Sequence, residues 1–178
     1  MKIWPVFDSC PKIIPRKNER GCFWENRGDR FHCGIDLYTK VGSTIVNIYP
    51  GIVIDTGIFT SSNIISYWNK TYYVDVKFEN NLFCRYAEMS SINVKKGDIL
   101  SANEKIGEVG QVLNKDKIAN NSPLYIKKLV LVESNIVSML HFELYDIKPI
   151  DLKNKYYLGG NWFGKSKPKG LLDPSIIL

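Results

Sequence analysis

Apolar and polar residues alternate with a period of two through much of the chain, the signature of half-buried strands. Residues 72–78 (Tyr-Tyr-Val-Asp-Val-Lys-Phe) and 82–89 (Leu-Phe-Cys-Arg-Tyr-Ala-Glu-Met) read as two strands joined by the turn Glu79-Asn80-Asn81, hence a hairpin. Residues 45–56 are rich in β-branched side chains and are broken at Pro50-Gly51, which predicts a second hairpin. Short strands flank sharp turns at 94–100 and 106–110, and 125–133 and 137–145 are strand-like as well. No helical periodicity runs longer than two turns. Many short strands separated by turn signals predict an all-β fold, a mostly antiparallel sandwich or barrel.

Within 138–144 the parity is informative: Leu140, Phe142 and Leu144 should face a core, which leaves Met139, His141 and Glu143 together on the opposite face. His32 and Asp36, four residues apart in an extended stretch, also share a face. Two imidazoles and one carboxylate form a known ligand set for Zn²⁺, with a fourth position left for water in catalytic sites. A histidine beside an aspartate is also a common structural hydrogen-bonded pair, and the spacing leaves both readings open.

Composition narrows the classes. The 178 residues, 44% hydrophobic and 24% charged, suit one globular domain with a sizeable core. No apolar run is long enough to span a bilayer, and the N-terminus lacks a signal peptide's apolar region, which predicts a chain that is not exported, with an intracellular setting favoured. Cys10, Cys22, Cys33 and Cys84 are too few for a disulfide scaffold; Cys10–Cys22 and Cys33–Cys84 pairings are open, and reduced thiols are favoured. The net charge of +6 comes largely from 148–169, where six lysines face one acid, Asp151, and Tyr156, Tyr157, Trp162 and Phe163 are interleaved with them. Lysine with aromatics suits nucleic acid, yet the segment has no arginine and the chain no nucleic-acid motif. Residues 155–169 are instead expected to form an exposed arm for a protein partner. The domain reading is 1–150 for a β domain and 151–178 for the basic aromatic arm and a closing strand of that same domain. Only His32 and His141 are histidines, so no mechanism needing a third is available.

The order of segments resembles the lysostaphin-type, or LytM-like, zinc endopeptidases, which cut peptide bridges in bacterial cell walls. The likeness rests on Trp4-Pro5-Val6 as entry strand, Phe31-His-Cys-Gly-Ile-Asp-Leu as the His-x-Gly-x-Asp motif, and the stretch 42–53 after it. It continues through Arg85-Tyr-Ala-Glu-Met-Ser, Ile106-Gly-Glu-Val-Gly, Leu140-His-Phe-Glu and Leu172-Asp-Pro. The resemblance implies a mostly antiparallel sheet of the duplicated hybrid motif type with a ligand groove, and carries His32, Asp36 and His141 over as metal ligands for zinc, whether bound or as a preformed site. The family's two further catalytic histidines fall at Glu88 and Met139. Glu88 is thus a candidate fourth ligand, a candidate general base, or a solvated strand residue, and Tyr86, of the same parity, is the nearest hydroxyl along that strand. Met139 reads as a space-filler, a thioether being a soft ligand poorly suited to zinc. The loop before Met139 is longer than the family's and carries the apolar segment 128–133, a candidate second contact for a partner. The expected function is a non-catalytic, protein-binding or assembly module of a zinc-peptidase family. The alternative is an active metalloendopeptidase or peptidoglycan hydrolase using Glu88 as base, and a third reading is a glycan-binding groove.

Overall fold

The computed structural model describes residues 2–7, 12–120, 122–124, 126–127 and 138–178. In chain order its strands are β1 (Phe31–His32), β2 (Ile35–Tyr38), β3 (Thr44–Val46), β4 (Gly51–Thr60), β5 (Thr71–Phe78), β6 (Phe83–Ile92), β7 (Ile99–Leu100), β8 (Lys105–Val109), β9 (Met139–Tyr145), β10 (Tyr157–Leu158), β11 (Asn161–Trp162) and β12 (Leu171–Leu172). Every pairing among them is antiparallel. The main sheet runs β12-β9-β6-β5-β4-β7, with β2 added to β9 and β8 bridging β3 and β6, and a small sheet β1-β11-β10 stands apart from it.

The period-two pattern decides which face is buried against what. Leu140 and Phe142 of β9 join Ile35, Leu37, Val74, Val76, Tyr86 and Met89 in the principal core on one face of the sheet. On the other face Ala87, Tyr73 and Tyr145 pack with Cys33, Phe59, Tyr157, Trp162 and Leu171. Both faces are therefore dry, and the polar side chains of β9 are enclosed between the main sheet and the small one.

Strand β6 carries an irregularity that decides where Glu88 points. The β5–β6 register passes from Val74↔Tyr86 to Tyr72↔Met89, so Ala87 and Glu88 together oppose Tyr73, a β-bulge, and Glu88 takes φ +64°. Strand β6 pairs with β9 up to Ala87 and with β8 from Met89, so its partner changes at the bulge. Tyr86 and Met89 both point into the principal core, and the extra residue moves Glu88 to the opposite face. Strict alternation would have buried Glu88 beside Tyr86; the expected shared parity of these two residues is corrected by the bulge.

Other expectations change too. The 72–78/82–89 hairpin forms as β5–β6, but 45–56 does not close on itself: β3 pairs with β8, whereas β4 pairs with β5 and β7. At the start of 125–133 the amides of Ile126 and Lys127 bond to Pro123 O, a helical turn rather than a strand; residues 128–137, with the apolar segment 128–133, lie outside the described residues. The 155–169 segment is not a free arm. It makes the β10–β11 hairpin, pairs Trp162 with Phe31 and Asn161 with His32, and buries Tyr157 and Trp162, whose indole donates to Ser166 O at 2.9 Å. Tyr156 and Phe163 keep 42% and 40% of their surface exposed. Cys33 and Cys84 are unpaired thiols in the two different cores, with the sheet between them; Cys22 is unpaired as well, and Cys10 lies outside the described residues.

Since Trp162 closes the second core, Trp162→Ala should cost about 3 kcal/mol of unfolding free energy, read by chemical denaturation. A change below about 0.5 kcal/mol would mean that the hairpin is only loosely attached.

Candidate metal centre

Strand β2 lies against β9 with Asp36 directly opposite His141, and Ala87 of β6 flanks His141 on the other side. This close approach explains the glycine of His-x-Gly-x-Asp. A Cβ at Gly34 would press into the carbonyl oxygen of Phe142, so any other residue would push β2 off β9 just where the aspartate meets the histidine. His32, on β1, reaches the same point from the small sheet.

Three atoms converge there. His141 Nδ1 lies 3.0 Å from both His32 Nε2 and Asp36 Oδ1, and His32 Nε2 lies 3.1 Å from Asp36 Oδ1. All three residues are buried, none more than 4% exposed. The remaining nitrogen of each imidazole is already engaged: His32 Nδ1 donates to Cys22 O at 2.8 Å, and His141 Nε2 donates to Glu143 Oε1 at 2.9 Å. Those bonds leave His32 Nε2 and His141 Nδ1 as the lone-pair nitrogens, facing a carboxylate oxygen. Three acceptors about 3 Å apart in a dry pocket repel one another unless a positive charge sits among them.

A proton is one such charge. Burial works against charging His141, but its hydrogen bonds to Asp36 and Glu143 outweigh burial and hold its pKa up to about 10. His32 is held below its ordinary value, chiefly by burial. Asp36 is held well below the carboxylate range by the two histidines, against the effect of burial. A divalent ion also fits: bonds of about 2.0–2.1 Å in a tetrahedral arrangement place ligand atoms roughly 3.3 Å apart, within a few tenths of an ångström of the separations here. The donor set, two neutral nitrogens and one carboxylate oxygen, suits zinc.

The surroundings hold each of the three side chains in place. Asp36 Oδ2 accepts from Arg27 Nη2 at 3.1 Å; Arg27 Nε donates to Glu25 Oε2 at 2.9 Å and its Nη1 to Asn161 Oδ1 at 3.0 Å. One arginine thus ties the loop before β1, the aspartate and the β10–β11 hairpin together and keeps Asp36 Oδ1 for the cluster. Gly160, at φ +74°, lies flat on the His141 ring, where a Cβ would stand 2.5 Å from Nε2, while Phe59 stacks nearby with ring centroids 5.8 Å apart. Behind His141, Glu143 is wholly buried and accepts from the Tyr145 and Tyr157 hydroxyls at 2.5 and 2.7 Å. Glu143 was visible in the sequence as a residue sharing the parity of His141. Arg27, Gly160 and Asn161 carried no local signal, because long-range folding alone brings them to the cluster.

Glu88 faces the cluster without joining it. It is half-buried, close enough to feel the charges of Asp36, His141 and Arg27, and burial with the neighbouring Asp36 pushes its carboxyl up to about 8. Met139 opens β9 on the same side, half-buried opposite Tyr38. The tyrosine on the site-facing side is Tyr38, of Asp36 parity; Tyr86, expected there, is in the core, donating to Asn47 Oδ1 at 3.1 Å and accepting from the Ile48 amide at 3.0 Å.

Residues 30–152 match the profile of peptidase family M23. No curated protein matches the chain. Among solved structures, the catalytic domain, in a point-mutant form, of the prophage-encoded M23 protein EnpA from Enterococcus faecalis is similar at 21% identity and TM-score 0.51, over 96% of this chain and 94% of that one. A chain of the SpoIIQ–SpoIIIAH pore-forming complex is similar at 16% identity and TM-score 0.55, over 99% and 90%. Csd3 of Helicobacter pylori is similar at 24% identity and TM-score 0.50, over 85% of this chain and 32% of its own. At these identities the likeness is one of fold.

Two outcomes follow from the geometry. Gly34→Ala should lower stability by about 1–3 kcal/mol, as overpacking against a fixed backbone does, measured by denaturant titration. Burial alone would raise Glu143, but the His141 hydrogen bond and Arg85 hold its pKa down to about 2. Because that value lies below the ordinary glutamate value, its contribution is present above about pH 4.5 and lost as pH falls toward 2, a loss of roughly 3 kcal/mol. Unfolding free energy of the metal-free protein measured across that window should fall accordingly, and the acid dependence should flatten in Glu143→Gln.

Proposed function

Given that the chain belongs to peptidase family M23, we propose that it binds one Zn²⁺ through His32 Nε2, Asp36 Oδ1 and His141 Nδ1 and serves as a non-catalytic assembly module of that family. The observation that carries the reading is the pair of residues around the cluster. The two positions that the lysostaphin-type resemblance gives to further histidines hold Glu88 and Met139, and both histidines of the chain are already in the cluster. Zinc supplies a Lewis acid that polarises a bound water or carbonyl. Amide hydrolysis also needs a base for the water, a donor for the oxyanion and a proton for the leaving nitrogen. Met139 offers neither donor nor base, and Tyr86 is committed to the core.

Partner binding is supported by the similarity to a chain of the SpoIIQ–SpoIIIAH complex. The docking surface in this reading is the outer face of the β10–β11 hairpin. Tyr156 and Phe163 are exposed there, with Lys155 over the Tyr156 ring at 4.9 Å and Arg30 over Phe163 at 6.0 Å. The segment 128–133 is a second candidate contact on its sequence alone.

Glu88 favours a second reading. A carboxyl with a pKa near neutrality, facing the cluster, has the property a general base needs, and the Tyr38 hydroxyl is on the same side. In that case the chain is an active metalloendopeptidase with an unusual base.

Calorimetric titration of the metal-free protein with Zn²⁺ in two buffers of different ionisation enthalpy should give one site and, near pH 7, release of about one proton, the one displaced from His141. His141→Ala should abolish binding and Met139→Ala should leave it intact. The zinc-loaded protein is expected to leave glycine-rich and cell-wall peptides uncut. Turnover that disappears in Glu88→Gln would replace the first reading with the second.

A further inference from the structure

The carboxylate behind His141 is surrounded far more completely than a packing role requires. Four donor groups converge on Glu143 at zero exposure: His141 Nε2 at 2.9 Å, Tyr157 Oη at 2.7 Å, Tyr145 Oη at 2.5 Å, and the Arg85 guanidinium, whose Nη1 stands 3.5 Å from Oε2. Arg85 is itself fixed by a two-bond pairing with Asp75, at 2.8 Å twice, by Ile150 O at 3.0 Å, and between the rings of Tyr73 and Tyr157 at 5.1 and 5.5 Å. Among the described residues its Nη1 has no hydrogen-bond partner, so the group is aimed at Glu143 by charge rather than by a bond of its own. The donors come from β6, β9 and β10, three strands meeting at one carboxylate, and β5 supplies Asp75 and Tyr73 to hold Arg85.

We infer that Glu143, held by Tyr145, Tyr157 and Arg85, is a positioning residue that fixes which nitrogen of His141 meets the metal. With both carboxylate oxygens occupied by donors, Glu143 can only accept from His141, so the Nε2 hydrogen is pinned and Nδ1 is left with its lone pair toward His32 and Asp36. Without that acceptor, the hydrogen of a neutral His141 would move to Nδ1, where Asp36 Oδ1 waits at 3.0 Å, and would close the cluster to a cation. Gly160 serves the same end from above, since only a residue without a side chain lets the ring lie in this orientation. Outer-shell carboxylates of this kind are commonly worth about 10- to 100-fold in metal affinity.

The inference rests on the zinc reading, and the test separates the two. Zn²⁺ affinity is measured by competition with a chromophoric chelator for the wild type, Glu143→Gln and Tyr157→Phe, with the thermal melt of each metal-free protein as folding control, and Co²⁺ is loaded into each as a spectroscopic probe. Glu143→Gln should bind zinc about 10- to 100-fold more weakly. Tyr157→Phe, which keeps the carboxylate and removes one of its donors, should show a smaller loss, and the Co²⁺ d–d bands should shift in both while the melts show folded protein. Equal affinities and unchanged bands in the folded variants would overturn the inference alone. No metal uptake by the wild type would overturn the zinc reading and the inference with it. If Glu143→Gln does not fold, Tyr157→Phe decides: unchanged affinity and bands there count against the inference.

Discussion

Asp36 and His141 sit opposite each other because β2 and β9 are in register, and most of the site depends on that one alignment. A slip of one residue would turn Asp36 into the principal core and Leu37 toward the pocket, since strand side chains alternate faces. Phe142 and Leu140 on β9 and Ile35 and Leu37 on β2 resist such a slip by filling the core on the other face. Gly34 sets how near the two strands come. The hydrophobic pattern thus fixes the geometry of the polar cluster from the far side of the sheet.

Burial then gives the cluster its chemistry. In water, two imidazoles and a carboxylate about 3 Å apart would be an ordinary set of solvated groups. Enclosed between two sheets, they need a positive charge among them, and against the effect of burial the hydrogen bonds to Asp36 and Glu143 hold the His141 pKa up to about 10. The same enclosure makes Arg27 and Glu143 necessary, because a buried ligand with an unpaired second polar atom costs about 1–3 kcal/mol. The site is built in nested layers: the three clustered side chains, then Arg27, Glu143 and the Cys22 carbonyl, then Arg85, Tyr145 and Tyr157.

How much of this could be read from sequence follows from range. The β5–β6 hairpin and the inward parity of β9 were legible because period-two patterns and turn residues are local. The convergence of His32, Asp36 and His141 was legible through parity together with the family motif. The fate of Glu88 was not, because a bulge shifts parity by one residue without an obvious sequence mark; the glutamate at φ +64° is not the glycine that usually signals it. The basic aromatic segment misled for a different reason. Lysine and aromatic content is the same for an exposed arm and for an edge hairpin whose Tyr157 and Trp162 turn inward while the lysines stay in water, and only the pairing of Trp162 with Phe31 tells them apart.

A zinc ion in this cluster would be bound through one chosen nitrogen of each histidine. A crystal structure of the zinc-loaded protein with anomalous data at the zinc edge tests it most directly. The account predicts a single anomalous peak bonded to His32 Nε2, Asp36 Oδ1 and His141 Nδ1 at about 2.0–2.2 Å, with His141 Nε2 still on Glu143. No peak at the cluster, or a zinc bound to His141 through Nε2 with the ring turned away from Glu143, would contradict it.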